Sequence, residues 1–259
     1  FFEAEPRGRY RVFFSDNITD EMAGSHELRQ RMLDAFRIEL GEVSRDDLVS
    51  IRSTSCTGLC DQGPALLVND RAIARLTPAR LGAISSLIRG GTPMHQWPEH
   101  LFSIASHVHR EDRLLSTALA PGEGLDAAIA RGRSATIAEI TESGLRGRGG
   151  AGFSTGTKWA ACANAAGPER YVVCNADEGE PGTFKDRELL MHHAEKVLEG
   201  MTVAAFAVGA SVGLLYLRAE YPFLIAPLLE RLAERRRVGL LGKAVRGVAG
   251  FDFDIELHV

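Results

Sequence analysis

The chain has 259 residues, of which 45% are hydrophobic and 25% charged. This balance excludes an intrinsically disordered protein, and the length allows one large domain or two modest ones. The 30 Lys and Arg residues against 34 Asp and Glu residues give a net charge of −4, which excludes a strongly basic nucleic-acid-binding protein. The longest apolar run, residues 201–216, is interrupted by Gly209 and Ser211, so the sequence predicts no transmembrane segment.

The cysteines and the two ends of the sequence indicate a cellular compartment and a longer parent protein. The four cysteines, at positions 56, 60, 162 and 174, are too few for a disulfide scaffold. We therefore expect a cytoplasmic protein whose thiols are free or bound to a metal. The sequence has no initial Met and its last residues look like an unfinished strand, so we expect an excised piece that is truncated at its C-terminus.

The first 92 residues predict a compact α/β unit with the order β-α-β-β-α. Apolar residues recur at helical spacing in the two predicted helices, and Ser25 is a plausible N-cap for the first of them. The predicted strands are residues 10–14, 48–52 and 65–68, and the predicted helices are residues 25–40 and 76–88. Residues 93–124 contain three prolines and predict a connector between two domains.

From residue 125 onward, predicted strands and helices alternate, which indicates a parallel sheet with crossover helices. We therefore predict a second α/β domain over residues 125–259. Its predicted helices are residues 125–132, 134–143, 187–209 and 221–237, and its predicted strands are residues 171–174, 213–218 and 253–259.

A glycine-rich loop, residues 144–158, is the most informative stretch of the sequence. Its glycines would let successive N–H groups converge on an anion, and three cationic side chains, Arg146, Arg148 and Lys158, would add charge. A helix beginning near Lys158 would point its positive end at the same anion. Residues 147–152 match G-x-G-x-x-G, but they follow a predicted helix and not a strand, as the dinucleotide-binding fingerprint requires. The alternatives are a phosphate site and a flexible loop with solvated arginines.

An acidic loop, residues 174–182, follows the predicted strand 171–174. Ligands of open α/β sheets bind at the carboxyl ends of the strands, which is where this loop lies. Asn175 supplies a donor and an acceptor, and Asp177, Glu178 and Glu180 supply carboxylates for hydroxyl or ring N–H groups. A solvated acidic turn and a divalent-cation loop are the alternatives.

Together the two loops, SGLRGRGGAGFSTGTKW at 143–159 and VCNADEGEPGTFKDR at 173–187, closely resemble the flavin-binding subunit of NADH dehydrogenase (complex I). Relatives of that subunit include the diaphorase subunits of NAD-reducing hydrogenases and of NAD-dependent formate dehydrogenases. The resemblance spans about residues 125–259 and implies a Rossmann-like FMN-binding domain. It also implies an FMN that takes hydride from NADH and passes electrons to iron–sulfur clusters, so no side chain is assigned a catalytic role.

By motif position, the resemblance assigns residues to two cofactors. The residues assigned to FMN are Gly147, Arg148, Gly149, Lys158, Asn175, Asp177 and Glu178. Phe153 would stack on the nicotinamide nucleotide and Glu180 would line the NAD site. One departure is Ala161, which stands where the family often has an aromatic side chain against the adenine. The ligands of the family's [4Fe–4S] cluster would lie beyond Val259.

The segment around Cys56 and Cys60 resembles the second half of the thioredoxin-like [2Fe–2S] domain that partners the flavin subunit. In that family's pattern, the first cysteine pair would fall at Ser15 and Asp20, so two of the four thiolates are missing. Oxygen ligands suit iron–sulfur clusters poorly. Three alternatives follow: a structural domain without a cluster, an atypical cluster held by Cys56, Cys60, Ser15 and Asp20, or a redox disulfide between the cysteines.

Fusion of the two domains in one chain resembles the large diaphorase subunit of NAD-reducing [NiFe] hydrogenases, as does the stretch 239–254. The implied partners are an iron–sulfur electron-transfer subunit and hydrogenase subunits, or those of another dehydrogenase. A flavin subunit of formate dehydrogenase or of complex I is the alternative within this class. A non-catalytic assembly module and a nucleotide-binding regulator without flavin are the alternatives outside it.

Overall fold

The computed structural model describes residues 7–167 and 169–259, with the side chains of residues 113 and 114 excepted. The chain divides into two compact units. The first contains residues 7–109 together with Glu178–Lys185 and Arg218–Phe223, and the second contains the remaining described residues. The expected connector is therefore divided, since residues 93–109 belong to the first unit and residues 110–124 to the second. The domain boundaries 1–92, 93–124 and 125–259 stay predictions.

A four-stranded mixed sheet in the order β2-β1-β3-β4 forms the centre of the first unit. Strand β1 pairs in parallel with β2 and antiparallel with β3, and β3 and β4 form a hairpin. Asn69 and Asp70 make its two-residue turn with φ of 47° and 69°, since a type I′ turn requires positive φ at both central residues. The strands are β1 Tyr10–Ser15, β2 Val49–Thr54, β3 Leu66–Val68 and β4 Arg71–Ile73.

Helices α1 Ile18–Met22, α2 Ser25–Phe36 and α3 Pro78–Arg89 accompany this sheet. Apolar side chains of α2 and α3 pack with those of β1 and β2 in one buried cluster. The helix predicted over residues 25–40 ends at Phe36, because Arg37 adopts φ 56° and ψ 48°. Ser25 is the first helical residue and not the N-cap, and its hydroxyl donates to the Ser15 carbonyl.

The second unit contains a three-stranded sheet, β5 Tyr171–Ala176, β6 Val212–Leu217 and β7 Asp254–His258. Both strand pairs are parallel, which confirms the predicted parallel sheet. Successive β5 residues alternate between an outer face, which carries Tyr171, Val173 and Asn175, and an inner face that ends in buried Ala176. The helices are α4 Arg113–Ser116, α5 Glu123–Arg131, α6 Arg133–Glu142, α7 Thr155–Asn164, α8 Lys185–His192, α9 Ala194–Val208 and α10 Ile225–Arg237.

The single helix predicted over residues 187–209 is wrong, since His193 breaks it into α8 and α9 with φ −132° and ψ 25°. Helix α9 is buried along most of its length and contacts α5, α6, α7 and β5. Buried Arg235 of α10 pairs with Glu195 and, at 2.9 Å, with Glu199 of α9. Glu199 also accepts a 2.8 Å hydrogen bond from the N–H of Leu125, which fixes the beginning of α5 on α9. Along residues 7–167 and 169–259, no helix is long and apolar enough to cross a lipid bilayer.

Candidate functional site

The glycine-rich loop is a closed turn at the beginning of α7. The Gly147 N–H donates to the Phe153 carbonyl and the Thr155 N–H donates to the Leu145 carbonyl, both at 2.9 Å. Ser154 caps the helix by accepting from the Thr157 N–H. Helix α7 therefore begins three residues earlier than predicted, and Lys158 lies at the end of its first turn.

The turn leaves its backbone amides open. Within the described part of the chain, the N–H groups of residues 148–152 donate no hydrogen bond. Gly150 and Gly152 have φ of 153° and 64°, which other residues rarely adopt. A Cβ atom built at Gly149 or Gly150 would meet nothing within 4 Å, so the space before these amides is free. The turn thus has the donors and the room that a phosphate group needs.

Cationic side chains flank the same turn. Arg148 and Lys158 are exposed, and no carboxylate among the described residues lies within ion-pair distance of either. The Arg146 guanidinium donates to the Gly152 carbonyl at 3.2 Å and so braces the turn. The positive charge is therefore not neutralised within this part of the protein. These residues fit the phosphate group of an FMN. A phosphate dianion has several oxygens that can accept hydrogen bonds from the open amides and the cationic side chains.

Asn175 and Asp177 lie at the carboxyl end of β5 in the same unit. Asn175 is the last outward-facing residue of the strand, and its Oδ1 accepts from the Asp177 N–H at 3.2 Å. Both side chains are exposed. Strand β5 and helix α7 both pack against α9. One helix therefore supports the strand that leads into the acidic loop, residues 174–182, called the acidic motif below, and the helix that follows the glycine-rich turn, residues 144–158. Asn175 belongs to the strand itself, which runs two residues beyond the predicted end.

Glu178, the next residue of the motif, belongs to the first unit and is buried there. Its backbone has φ 45°, and its carbonyl accepts a hydrogen bond from the Arg218 guanidinium. Its Oε2 accepts from the Tyr221 hydroxyl at 3.0 Å, and its Oε1 lies 3.7 Å from the Lys185 ammonium. The Glu178 carboxylate thus fixes the motif loop. Glu180 has an exposed side chain, as does Phe153 in the second unit.

The four positions of the expected cluster come together in the first unit, but protein atoms fill the space between them. The Asn17 Nδ2 lies within hydrogen-bond distance of Ser15 Oγ, of Asp20 Oδ2 at 2.7 Å and of Cys60 Sγ at 3.3 Å. The Cys56 and Cys60 sulfurs are themselves only 3.3 Å apart. In the described residues, no three His, Cys, Asp or Glu side chains are arranged to hold a metal ion.

These residues do not fit a [2Fe–2S] cluster. Such a cluster uses four soft ligands around two irons and two sulfides, whereas this donor set has two thiols and two oxygens. The amide nitrogen of Asn17 contacts three of the four side chains, and the Ser15 and Asp20 oxygens are both engaged with it. We therefore assign no metal to Cys56, Cys60, Ser15 or Asp20.

The protonation of the buried pair follows from its hydrogen bonds. The pKa of Cys56 is lowered to about 6, chiefly by the Cys60 thiol, with further help from the Gly58 N–H and the charge of Arg218. The pKa of Cys60 is raised by the same thiol contact and by burial. Burial also raises the pKa of Asp20.

Arg218 and Tyr221 are functional candidates that the sequence reasoning missed. The Tyr221 hydroxyl donates to the Gly58 carbonyl at 3.2 Å, and the Gly182 N–H donates to the Cys60 sulfur. These contacts bind the acidic motif to the Cys56–Cys60 loop inside the first unit. Their position in the sequence could have identified them. Residues 218–221 follow the carboxyl end of β6, and ligands of open α/β sheets bind at the carboxyl ends of the strands.

Comparison with known protein families finds two matches that share the chain. The Nuo51 FMN-binding domain matches residues 140–259, and the thioredoxin-like [2Fe-2S] ferredoxin matches residues 1–89. The first match contains the glycine-rich turn and the acidic motif, and the second contains Cys56 and Cys60.

Curated relatives include the NAD-reducing hydrogenase HoxS subunit alpha of Cupriavidus necator, 37% identical over 100% of this chain and 45% of its own length. A subunit of the NADH-quinone oxidoreductase of Rhizobium meliloti is 46% identical over 46% of this chain and 28% of its own length. A solved structure of an NAD+-reducing [NiFe]-hydrogenase in the air-oxidized state has a TM-score of 0.87 and 39% identity. The match covers 98% of this chain and 44% of the chain in the solved structure. The chain thus spans less than half the length of these relatives.

Proposed function

Because residues 140–259 match the Nuo51 FMN-binding domain and residues 1–89 match the thioredoxin-like [2Fe-2S] ferredoxin, we propose that this chain is part of an FMN-containing NAD(H) oxidoreductase. It would serve as the diaphorase subunit, which exchanges electrons between NAD(H) and iron–sulfur clusters. The observation that carries the proposal is the glycine-rich turn. It combines open amides, free space and cations that no carboxylate of the described residues neutralises, all at the beginning of a helix.

The FMN phosphate would lie against this turn. Gly147 and Gly149 let the backbone approach the phosphate, and Arg148 and Lys158 supply charge-assisted hydrogen bonds to its oxygens. Asn175 and Asp177, exposed at the end of β5, would bind the hydroxyls of the ribityl chain. Bound FMN would supply the acceptor for hydride, a chemistry that no protein side chain offers.

Glu178 belongs to this FMN set by its position in the motif. Its carboxylate is occupied by Tyr221 and Lys185, so the side chain holds the motif loop in place. Phe153 and Glu180 are proposed for NAD. Phe153 is 57% exposed and offers a free ring face for stacking on a nicotinamide nucleotide, and Glu180 offers an acceptor for ribose or amide donors.

The proposed parent complex is an NAD-reducing hydrogenase in the cytoplasm, with an iron–sulfur electron-transfer subunit and hydrogenase subunits as partners. The relative that matches along the entire chain is a subunit of such an enzyme, which supports this choice over formate dehydrogenase or complex I. A [4Fe–4S] cluster, which the resemblance to the flavin-binding subunit implies, is proposed for the full-length protein.

The full-length protein tests the proposal through its visible absorption spectrum and the identity of any flavin released on denaturation. We expect FMN at about one per chain, because the glycine-rich turn, Asn175 and Asp177 lie in one unit and would bind one flavin. A folded protein that binds NAD but releases no flavin would contradict the proposal and favour a nucleotide-binding regulator.

A further inference from the structure

The positions expected for the cluster bring the Cys56 and Cys60 thiols into direct contact. Cys56 and Cys60 are both buried in the first unit, with their sulfurs 3.3 Å apart. The other two cysteines, Cys162 and Cys174, lie in the second unit, on α7 and β5. We propose that Cys56 and Cys60 form a dithiol–disulfide couple in place of an iron–sulfur cluster, with peroxide as the oxidant and a small dithiol as the reductant.

The geometry of the pair is close to that of a disulfide. A disulfide has a bond length of about 2.05 Å, so the sulfurs must approach each other by about 1.2 Å. Both residues lie on one short loop, in which Gly58 has φ 73°. Small adjustments of the two side-chain torsions within this loop can supply the approach.

Neighbouring groups position the two reduced sulfurs and cover them from other thiols. The Gly58 N–H donates to the Cys56 sulfur at 3.2 Å, and the Gly182 N–H donates to the Cys60 sulfur. A Cβ atom at Gly58 would lie 2.4 Å from the ring of Tyr221, so the ring closes over the loop. The Asn17 amide lies against Cys60 from the other side. A cluster has no room here, whereas an S–S bond needs no added atoms.

The chemistry balances with a peroxide as co-reactant. One thiol loses its proton, and the thiolate attacks a peroxide oxygen. The O–O bond breaks, and the departing hydroxide takes up that proton, so that a sulfenic acid and water form. The second thiol then attacks the sulfenic sulfur, the S–O bond breaks, and a second water leaves with the thiol proton. In sum, two thiols lose two protons and two electrons, and one hydrogen peroxide becomes two waters. Peroxide is small enough to reach a buried pair that larger disulfides cannot approach.

Peptide mass analysis of the full-length protein tests the couple directly. Trypsin would release residues 53–71 as one peptide that contains both Cys56 and Cys60, because it is bounded by Arg52 and Arg71. The protein is reduced, freed of reductant, exposed to hydrogen peroxide, unfolded and alkylated. We expect this peptide to be lighter by two hydrogens and unalkylated, and to become doubly alkylated after treatment with dithiothreitol.

Internal controls are present in the same digest. Cys162 and Cys174 fall alone on residues 159–170 and 171–185, so each should stay singly alkylated. Cys60→Ser should abolish the lighter peptide, and the matched variant Cys162→Ser should keep it. A wild-type peptide 53–71 that stays doubly alkylated after peroxide would overturn the proposal, and this result needs no variant to fold.

A second measurement distinguishes the couple from a cluster. Iron and acid-labile sulfide are counted in the full-length protein and in its Cys60→Ser variant. We expect equal contents, because the pair binds no iron. Loss of two irons and two sulfides in the variant would overturn the proposal in favour of a cluster held by Cys56, Cys60, Ser15 and Asp20.

Discussion

At the scale of single residues, the proposed phosphate contact of Lys158 can be tested directly by substitution. Its ammonium has no carboxylate partner in the described residues, so its removal breaks no ion pair among them. We expect Lys158→Ala in the full-length protein to reduce FMN retention by about tenfold or more, because a charge-assisted phosphate contact contributes about 1.5–3 kcal/mol. Flavin content after gel filtration measures it.

The matched control is Arg237→Ala, which removes an exposed cation at the end of α10 that pairs with Glu234. It should leave flavin content unchanged. The midpoint of thermal unfolding of the apoprotein should be the same for Lys158→Ala and the wild type. Undiminished flavin in Lys158→Ala would remove this residue from the proposed phosphate site.

Glu180 and its neighbour Glu178 differ in burial, and this difference predicts different functions. The Glu178 carboxylate is fully buried in its pairing with Lys185, whereas the Glu180 side chain is exposed and free to meet a ligand. We expect Glu180→Gln to raise the KM for NADH several-fold with little change in flavin content. Steady-state NADH oxidation with an artificial acceptor measures the first, and released flavin the second. Equal effects on both would move Glu180 into the flavin site.

At the scale of elements, the close packing of α6 and α7 depends on Gly156. A Cβ atom there would lie 2.6 Å from the Thr141 Cα atom, which is backbone and cannot move aside. We expect Gly156→Ala to lower the free energy of unfolding by about 1–3 kcal/mol through overpacking. The exposed helical Gly200 in α9 is the control, since a Cβ atom there meets nothing within 4 Å.

Gly200→Ala should raise the free energy of unfolding by about 0.5–1 kcal/mol, because alanine loses less conformational freedom in a helix. Urea unfolding of both variants, followed by circular dichroism, gives the comparison. If Gly156→Ala were as stable as Gly200→Ala, the α6–α7 contact would be looser than the structure has it.

The loop after α10 is tied to α5 by one ion pair with a defined pH dependence. Arg246, in the left-handed region at φ 53°, pairs bidentately with Asp126 and lowers its pKa. A lowered carboxyl pKa stabilises the fold above the unfolded value of about 3.9 and loses this effect as the pH falls through the folded value. Both side chains are more than one-third exposed, so the gain is under about 1 kcal/mol.

We therefore expect Asp126→Asn to lower the thermal midpoint slightly at pH 7 and low salt. The difference from the wild type should shrink as the pH falls towards 3, and also at high salt. Thermal scans across that range check both trends. A difference that grew at acid pH would mean that the carboxylate is not the stabilising form.

At the scale of the whole molecule, local patterns predicted more than long-range contacts. The parallel sheet β5-β6-β7 followed from the alternation of strands and helices, and the two motif loops were evident from composition. The break at His193 was missed because the residues on both sides of it favour helix. No local signal showed that Glu178–Lys185 and Arg218–Phe223 belong to the first unit, since this depends on contacts between residues more than 100 positions apart, such as Gly58 and Tyr221.

The first unit also bears on which electron donor the parent complex uses. NADH-quinone oxidoreductase relatives match 46% to 60% of this chain, whereas the hydrogenase relative matches 100% of it. We therefore expect the full-length protein, assembled with its native partners, to reduce NAD+ with hydrogen and not with formate.

The absorbance of NADH formed under each donor measures this preference. Oxidation of NADH by an artificial electron acceptor is the control, because it needs an intact diaphorase but neither donor. Formate-dependent reduction of NAD+ in the absence of hydrogen would assign the chain to a formate dehydrogenase. It would leave the FMN proposal standing, because the glycine-rich turn and the acidic motif would bind the flavin in either parent complex.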